Sequence, residues 1–582
     1  MKRKLLMSAL CMSTLSVHLW AQAAAANPNS ATAAPTGTVG TAAPATPEGL
    51  EELRARIAAQ QEQIKKLQQA MEEQQQMIGR MLNTSRATPS STGAATTNAA
   101  PATAANAPVA LVPAVNTNAV RPDVASMPRR MQQDETRPSP LSIRLGNSTL
   151  TPLGFMDLTF FSRSTNVGSG IGTNFGGIPF NTAAAGHLSE SNFSAQNSRV
   201  GFRVDSNFMG AKVLGYLEAD FLFNNDATSF QITSNSAGLR LRNYFVDVQK
   251  DGFEVLGGQD WSLLTPNRVG LSPVPSDIFY TQNMDTNYQA GLVWTRAPQV
   301  RFIAHPNENV AFGVALENPQ QYLGGGSGAT PAVLPAGLSS VLGTEFQPGG
   351  TITGVANWFP DIIAKAAFDG HAGDKLMHVE VAGLVSGFKN YILPGTVAGV
   401  SGSHSTLGFG GEVNANLEIV KNVHVIANTF FSDGGGRYIF GLAPDVVVRP
   451  DGSISSVHSY STVDGLEFQV GKNSQLAFYY GGAYVGRNIS FDPTASGSTL
   501  DKPAYSGYGF AATAPNSPLF NRAVQEITAD YTRVLWKNAN YGALSLINQY
   551  SYLIRDPWSV APGAPKSAHT NLVYINLRYT LP

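Results

Sequence analysis

Residues 198–223 read SRVGFRVDSNFMGAKVLGYLEADFLF, and after a short polar loop residues 239–261 read LRLRNYFVDVQKDGFEVLGGQDW. In a β-strand, successive side chains point to opposite faces of the sheet. Taken alternately, each run here places apolar side chains on one face and charged side chains of both signs on the other. The apolar positions are Val200, Phe202, Val204, Leu217, Ala219, Phe221, Phe223, Leu239 and Leu241. The charged positions opposite them are Arg199, Arg203, Asp205, Glu218, Asp220, Arg240 and Arg242.

This two-sided pattern argues against a soluble sandwich, which would bury the apolar face and expose the charges to bulk water. Hairpin-linked strands with an apolar face toward lipid and a polar face toward the lumen are typical of a transmembrane barrel. No run of about 18 apolar residues is present that could form a spanning helix, so we expect strands to make any membrane crossing. We predict an all-β fold, a transmembrane antiparallel β-barrel preceded by an α-helical coiled coil.

The same alternation recurs to the end of the chain and predicts the positions of the strands. Besides the three runs above, the candidates are Pro152–Ser162, Phe253–Trp261, Gln289–Thr295, Gln299–His305, Val310–Glu317, Thr351–Trp358, Asp361–Asp369, Lys375–Ser386, Ser405–Glu418, Asn422–Phe431, Val463–Gly471, Ser474–Val485, Val524–Leu535, Tyr541–Ile554 and Ala568–Tyr579. Bacterial barrels of one chain have even strand numbers, so from about eighteen candidates we predict sixteen strands within residues 145–582. The polar or Gly/Pro-rich intervals Gln320–Gly350, Asp433–Ser461 and Ser490–Asn521 are predicted loops, some of them folding inward.

The N-terminus is typical of an export signal. Lys2, Arg3 and Lys4 precede an apolar region from Leu5 to Trp20 and a small-residue cleavage zone, so we assign residues 1–26 to a signal peptide. The single cysteine, Cys11, lies inside this segment, so we expect the mature chain to lack disulfide and thiolate chemistry. Residues 27–47 form an Ala/Thr/Pro-rich linker.

Residues 48–82 follow a heptad repeat. Leu50, Ile57, Ile64, Met71 and Ile78 occupy one seam position, and Leu53, Gln60, Leu67, Gln74 and Met81 occupy the other. An isolated helix of this length is marginal in water, which favours self-association. The seam residues alone do not exclude a dimer; a homotrimer is what the resemblance described below implies. Residues 83–144, rich in Ala, Thr and Pro, are a predicted disordered tether. It would let the coiled coil reach the cell wall in the periplasm.

Composition and motifs exclude several other function classes. The net charge of −1 gives no indication of a nucleic-acid partner. The sequence lacks a GxSxG elbow, metal-ligand spacing and a phosphate-binding loop, so we expect no enzyme activity, cofactor or metal. One enzyme alternative, an outer-membrane lipid hydrolase, uses a Ser with a His two residues earlier; the match is His187-Leu188-Ser189, in a Gly/Ala/Asn-rich segment without a placed acidic or amide partner.

Several motifs together resemble the porins of the DcaP-like family. They are SRVGFRV at 198–204, LEADF at 217–221, LRLRNYFV at 239–246, GGQDWS at 257–262, GGGRYIFG at 434–441 and the stretch 463–487. The resemblance covers most of residues 145–582. It implies a trimeric sixteen-stranded porin of the outer membrane, whose basic lumen favours small organic anions such as dicarboxylates.

The predicted pore-lining, solute-binding residues are Arg199, Arg203, Glu218, Asp220, Arg240 and Arg242. Arginines facing carboxylates across a pore orient dipolar solutes, and an excess of arginine concentrates anions. In the alternative interpretation, these charges pair with one another and hold the wall rigid without selecting solutes. A phosphate-selective porin would need arginines and lysines with few carboxylates, which Glu218 and Asp220 argue against. A trimeric adhesin would have a short C-terminal barrel, whereas some 430 residues are barrel-like here.

Overall fold

The computed structural model describes residues 139–223, 237–279, 281–347, 355–511 and 519–582. The predicted signal peptide, linker and coiled coil, and nearly all of the predicted tether, lie outside these residues. The described chain is built around one closed antiparallel barrel. Within the described ranges, no helix is both long enough and apolar enough to cross a membrane.

Sixteen antiparallel strands form the barrel. They are β1 (Ser148–Arg163), β2 (Arg199–Phe208), β3 (Ala211–Phe223), β4 (Gly238–Lys250), β5 (Phe253–Trp261), β6 (Arg296–Asn307), β7 (Val310–Glu317), β8 (Asp361–Ala372), β9 (Lys375–Val397), β10 (Val400–Val420), β11 (Val423–Asp433), β12 (His458–Val470), β13 (Ser474–Val485), β14 (Asn521–Asn538), β15 (Gly542–Pro557) and β16 (Ala568–Thr580). Each strand pairs with its neighbours in the chain, and β16 pairs with β1 from Phe155↔Thr580 to Arg163↔Leu572, so the sheet has no free edge.

Several short strands and helical turns lie outside the sixteen barrel strands. Strand Ile143–Leu145 pairs with the start of β1, and strand Glu190–Ser194 pairs with its end. Two small hairpins, Val446–Val448 with Ile454–Ser456 and Asn488–Phe491 with Tyr505–Tyr508, lie in the loops. The helical pieces are short: Ser339–Leu342 is α-helical, and the 3₁₀ turns are Phe175–Gly177, Ala184–His187, Pro275–Asp277, Gly326–Gly328 and Gly436–Tyr438.

The two faces of the strands differ as the alternation predicts. On β8, Ile362 and Phe368 are about two-fifths exposed on the outside, whereas Lys365 and Asp369 are buried inside. On β16 the outward residues Val573, Ile575 and Leu577 are exposed in the same way. The apolar outer face and the charged inner face therefore follow from the alternation of side chains along each strand.

Sixteen of the predicted strands overlap the barrel strands, one was wrong, and one is described only in part. Gln289–Thr295 belongs to a loop inside the barrel, where Leu292 and Val293 are fully buried. Its apolar residues pack against the inner wall, which explains why they looked like strand residues. In Thr351–Trp358, residues 355–358 are not a strand and 351–354 lie outside the described residues.

The connections at the two ends of the barrel differ in length. At one end the strands are joined by turns of two or three residues, such as 209–210, 251–252 and 421–422. At the other end the connections are long, except that β9 and β10 meet at a two-residue turn, 398–399. These two strands have 23 and 21 residues and therefore extend beyond the rest of the barrel. On this extension Phe388 and Ile392 are buried against the neighbouring loops, and the tip is exposed.

Candidate functional site

Residues 262–279 and 281–295, between β5 and β6, fold into the barrel and cross its interior; we call them the inward loop. Four carboxylates on four different wall strands accept hydrogen bonds from backbone N–H groups of this loop. The pairs are Leu263 N to Glu317 (2.7 Å), Asn267 N to Glu380 (3.2 Å), Gly270 N to Asp369 (2.9 Å) and Ala290 N to Glu526 (2.8 Å). Buried N–H groups need such partners, so acidic wall residues hold this loop in place.

A fifth carboxylate holds the inward loop through a side chain. Arg268 donates from both terminal nitrogens to Glu467 of β12, at 2.8 Å each. Lys365 of β8 adds a contact in which the wall is the donor and the loop the acceptor: its Nζ donates to the carbonyl oxygen of Thr265 at 2.9 Å. The inward loop is thus bound to the barrel wall by acidic and basic side chains.

All six predicted site residues lie on the inner face of three adjacent strands, β2, β3 and β4. The register places Arg199, Asp220 and Arg240 in one row across these strands, so positive, negative and positive charges alternate. A β-bulge after Glu218 adds one extra residue to β4. As a result Arg242 and Asn243 are both buried inside, and Arg242 reaches the carboxylates beside it.

The structure pairs the predicted charges closely. The contacts are Arg199–Glu218 (3.3 Å), Arg242–Glu218 (2.6 Å), Arg242–Asp220 (2.7 Å), Arg240–Asp220 (2.8 Å) and Arg203–Asp205 (2.9 Å). We call Arg199, Glu218, Asp220, Arg240 and Arg242 the arginine cluster. Arg242 is fully buried, whereas the side chain of Arg240 is 36% exposed and that of Arg203 is 40% exposed. Exposed positive charge in this group is therefore carried by Arg240 and Arg203, and Asp205 beside Arg203 is itself 46% exposed.

Two residues next to the arginine cluster were missed by the sequence analysis. Tyr288 of the inward loop accepts a hydrogen bond from Arg242 Nη2 at 3.2 Å, and its ring packs beside Trp261 and Trp294. Arg296 begins β6, and its guanidinium lies 4.9 Å from the Trp261 ring and 5.1 Å from the Trp294 ring. Within the described part of the chain, the enclosed Nη1 of Arg296 has no hydrogen-bond partner. Neither residue could have been found by alternation, because one is in a loop and the other precedes its predicted strand.

The interior carries more buried carboxylates than buried lysine and arginine side chains. The resemblance to the DcaP-like family implies a basic lumen, yet here several of the acids serve to hold the inward loop. Among the described residues, no group of His, Cys, Asp and Glu side chains is arranged to hold a metal ion. His187, from the lipid-hydrolase alternative, is exposed, and its Nε2 lies 2.6 Å from the carbonyl oxygen of Asn181.

Comparison with known proteins concerns the fold. No protein-family model matches the chain, and no curated protein matches it in sequence. Among solved structures, the outer-membrane channel DcaP of Acinetobacter baumannii aligns with a TM-score of 0.51 and 15% identity, covering 75% of this chain and 98% of that one. This chain has a DcaP-like porin fold. The predicted resemblance is thereby confirmed at the level of the fold.

Two other solved structures align over similar lengths with lower scores. OprB of Pseudomonas putida has a TM-score of 0.40 and 11% identity, covering 74% of this chain and 94% of its own. OmpT of Vibrio cholerae has a TM-score of 0.39 and 9% identity, covering 75% and 99%.

Proposed function

We propose that this protein is an outer-membrane porin, a channel through which small hydrophilic solutes diffuse passively. The observation that carries the proposal is the closed sixteen-stranded barrel whose outer face is apolar and whose inner face is charged. An arginine or lysine facing lipid at the bilayer midplane would cost roughly 2–4 kcal/mol, and one facing a watery lumen costs little. The distribution of charge on the strands therefore suits a bilayer outside and water inside.

For the solutes, we propose a preference for small organic anions such as dicarboxylates. Arg240 supports this preference, because more than a third of its side chain is exposed whereas its partner Asp220 is buried. Its pairing with this carboxylate keeps the attraction weak, and flux through a channel requires weak binding. The same pairing argues against a phosphate-selective porin, which needs cations with few acids beside them. An enzyme role has no support from the contacts of His187.

For the orientation, we propose that the end with short turns faces the periplasm, as in outer-membrane barrels generally. Ser139, where the described chain begins, donates its hydroxyl to the carbonyl oxygen of Pro582 at 2.6 Å at this end. The predicted coiled coil, residues 48–82, precedes this point in the chain, so we propose that it is periplasmic, with the barrel in a homotrimer. We also propose that the coiled coil contacts the cell wall.

Planar-bilayer recording of the refolded protein tests the proposal. We expect stepwise conductance, and in a salt gradient a reversal potential of the sign that anion preference gives. Absence of channels would contradict the porin function. Channels with a cation-selective reversal potential would contradict the anion preference and leave the porin function standing.

A further inference from the structure

A sector of the outer barrel face, from β12 to β15, carries polar side chains where lipid would be expected. On β12, Glu467 points inward to Arg268, so Asp464, three residues away, points outward. Other strands have apolar side chains at their outward positions. On β7 these are Phe312, Val314 and Leu316.

Asp464 stands close to the middle of the membrane. It is the central residue of β12, six residues before Val470 at the short-turn end. With about 3.4 Å per residue and a strand tilt of about 40°, it lies roughly 15 Å from that end, within an apolar band about 25 Å tall. One carboxylate oxygen accepts a hydrogen bond from Thr462 Oγ1 at 3.0 Å, and no lysine or arginine of the described chain pairs with it. Acyl chains cannot satisfy a carboxylate, so they are an unfavourable neighbour for Asp464.

Asn548 on β15 is a second outward polar residue at this height. Its neighbours Ile547 and Gln549 contact the interior, so its amide points outward. It lies six residues after Gly542 at the short-turn end of β15, and it has no hydrogen bond within the described ranges. An amide without partners is also unfavourable in hydrocarbon. The outer face thus presents an acceptor on β12 and a donor on β15, both lacking the partner that mid-membrane depth demands.

The angle between these two residues fits a ring of three barrels. Asp464 and Asn548 are three strands apart in a barrel of sixteen, which is three sixteenths of a turn or about 68°. In a closed ring of identical barrels, each barrel meets its two neighbours in directions about 60° apart for three copies and about 90° apart for four. The strands between, β13 and β14, would face the ring axis. Their outward residues Tyr480 and Gln525 are polar too, and the Tyr480 hydroxyl donates to Gln525 Oε1 at 3.1 Å.

We propose that the carboxylate of Asp464 on one copy of the chain accepts a hydrogen bond from the Asn548 amide of the next copy, and that three such contacts close a homotrimer. The inference rests on the proposed homotrimer in the outer membrane and names its contact surface. Each polar group then finds the partner that lipid cannot supply. The outer faces of β16 and of β1 to β10 remain against lipid.

The first test crosslinks the two positions with cysteines. The predicted mature chain has none of its own, because Cys11 lies in the predicted signal peptide. In the double variant Asp464→Cys with Asn548→Cys, the two thiols of one chain are three strands or about 14 Å apart, too far to bond with each other. An added oxidant should therefore convert the double variant into a covalent trimer, and neither single variant should crosslink. The control pairs Asn548→Cys with Phe312→Cys on β7 and should stay uncrosslinked.

Two outcomes of the crosslinking would overturn the proposal. Covalent dimers from either single variant would mean that copies meet through the same patch on both sides. A double variant that does not crosslink would mean that lipid or another protein covers Asp464. The porin function is judged separately in planar bilayers. A covalent trimer without channels would overturn the porin function alone, and channels from a protein that does not crosslink would overturn the interface alone.

The second test exchanges the two residues. Asn548→Asp places two carboxylates against each other, so the fraction of trimer surviving at the wild-type dissociation midpoint on gel electrophoresis should fall at least about tenfold. Adding Asp464→Asn reverses the pair and should restore the wild-type fraction, whereas Phe312→Leu should leave it unchanged throughout. Losses that simply add in the double variant would show that the two residues do not meet, and would overturn the proposal.

Discussion

Arg268 and Glu467 form a bidentate ion pair across the barrel interior, with two contacts of 2.8 Å, although 199 residues separate them in the chain. Both side chains are essentially inaccessible to solvent. The pair joins the inward loop to β12, so it fixes how far the loop reaches across the lumen.

Replacing Arg268 with Ala should release this part of the loop. Removing one partner of a buried ion pair costs about 3–5 kcal/mol, because the remaining charge is left uncompensated. We expect the temperature at which the folded form disappears on gel electrophoresis to fall, and single-channel current to become noisier. Arg203→Ala is the control, since its pair with Asp205 is half-exposed and should matter by less than about 1 kcal/mol. Equal behaviour of the two variants would contradict the anchoring role of Arg268.

Gly291 lets the inward loop approach the wall. Its φ is +90°, and a Cβ there would overlap the carbonyl oxygen of Gly482. We expect Gly291→Ala to displace the loop and reproduce the noisy current of Arg268→Ala. Gly257→Ala on β5 is the matched control, because a Cβ at Gly257 meets nothing within 4 Å. If the single-channel current of Gly291→Ala were no noisier than that of wild type, the loop would tolerate a different path along the wall.

Arg240 and Arg242 should respond differently to replacement by Ser. Arg240 is partly exposed, and Asp220 keeps its contact with Arg242 when Arg240 is lost. We expect Arg240→Ser to fold normally and to move the anion-to-cation permeability ratio toward one, by roughly 2- to 5-fold. The reversal potential in a salt gradient measures this, and an unchanged value would remove Arg240 from the proposed binding site.

Arg242→Ser should instead impair folding. Arg242 is buried and contacts both Glu218 and Asp220, so its loss should cost about 3–5 kcal/mol. Urea titration of the refolded barrel in lipid vesicles measures the loss. A stability equal to that of Arg240→Ser would show that the buried acids find other partners.

The outward face of β16 provides a test of the lipid contact. We expect Ile575→Lys to destabilise the barrel in vesicles by roughly 2–4 kcal/mol, because a lysine at mid-membrane depth loses its hydration. Ser401→Lys, at the exposed end of the β9–β10 hairpin, is the control and should change the unfolding free energy little. No difference between them would mean that the apolar face of β16 is not against lipid.

The barrel strands could be predicted because each has to satisfy two environments at once. On β8, for example, Ile362 lies outside and Lys365 inside, and a period of two follows. The inward loop has no such constraint, since its residues are enclosed on all sides. Leu292 and Val293 are apolar for the same reason as core residues anywhere, so the interval 289–295 was taken for a strand.

The candidate site was predictable in part for a related reason. Arg199, Asp220 and Arg240 share a row of the sheet, and alternation was enough to place them inside. The partners of the inward loop come from strands far away in the chain, as Arg268 and Glu467 illustrate. The position of Tyr288 depends on a positive φ that cannot be predicted from the local sequence. Such contacts depend on the closed barrel itself.

Because β9 and β10 extend past the other strands, the turn at 398–399 is well placed to carry an inserted tag. At about 3.4 Å per residue, the additional ten or so residues of each strand carry this turn roughly 30 Å from its neighbours' ends. The tip is solvent-accessible, while Phe388 and Ile392 secure the base. In the proposed orientation this turn faces the outside of the cell, so an epitope tag or fluorophore inserted between Ala398 and Gly399 would report on intact cells without touching the lumen.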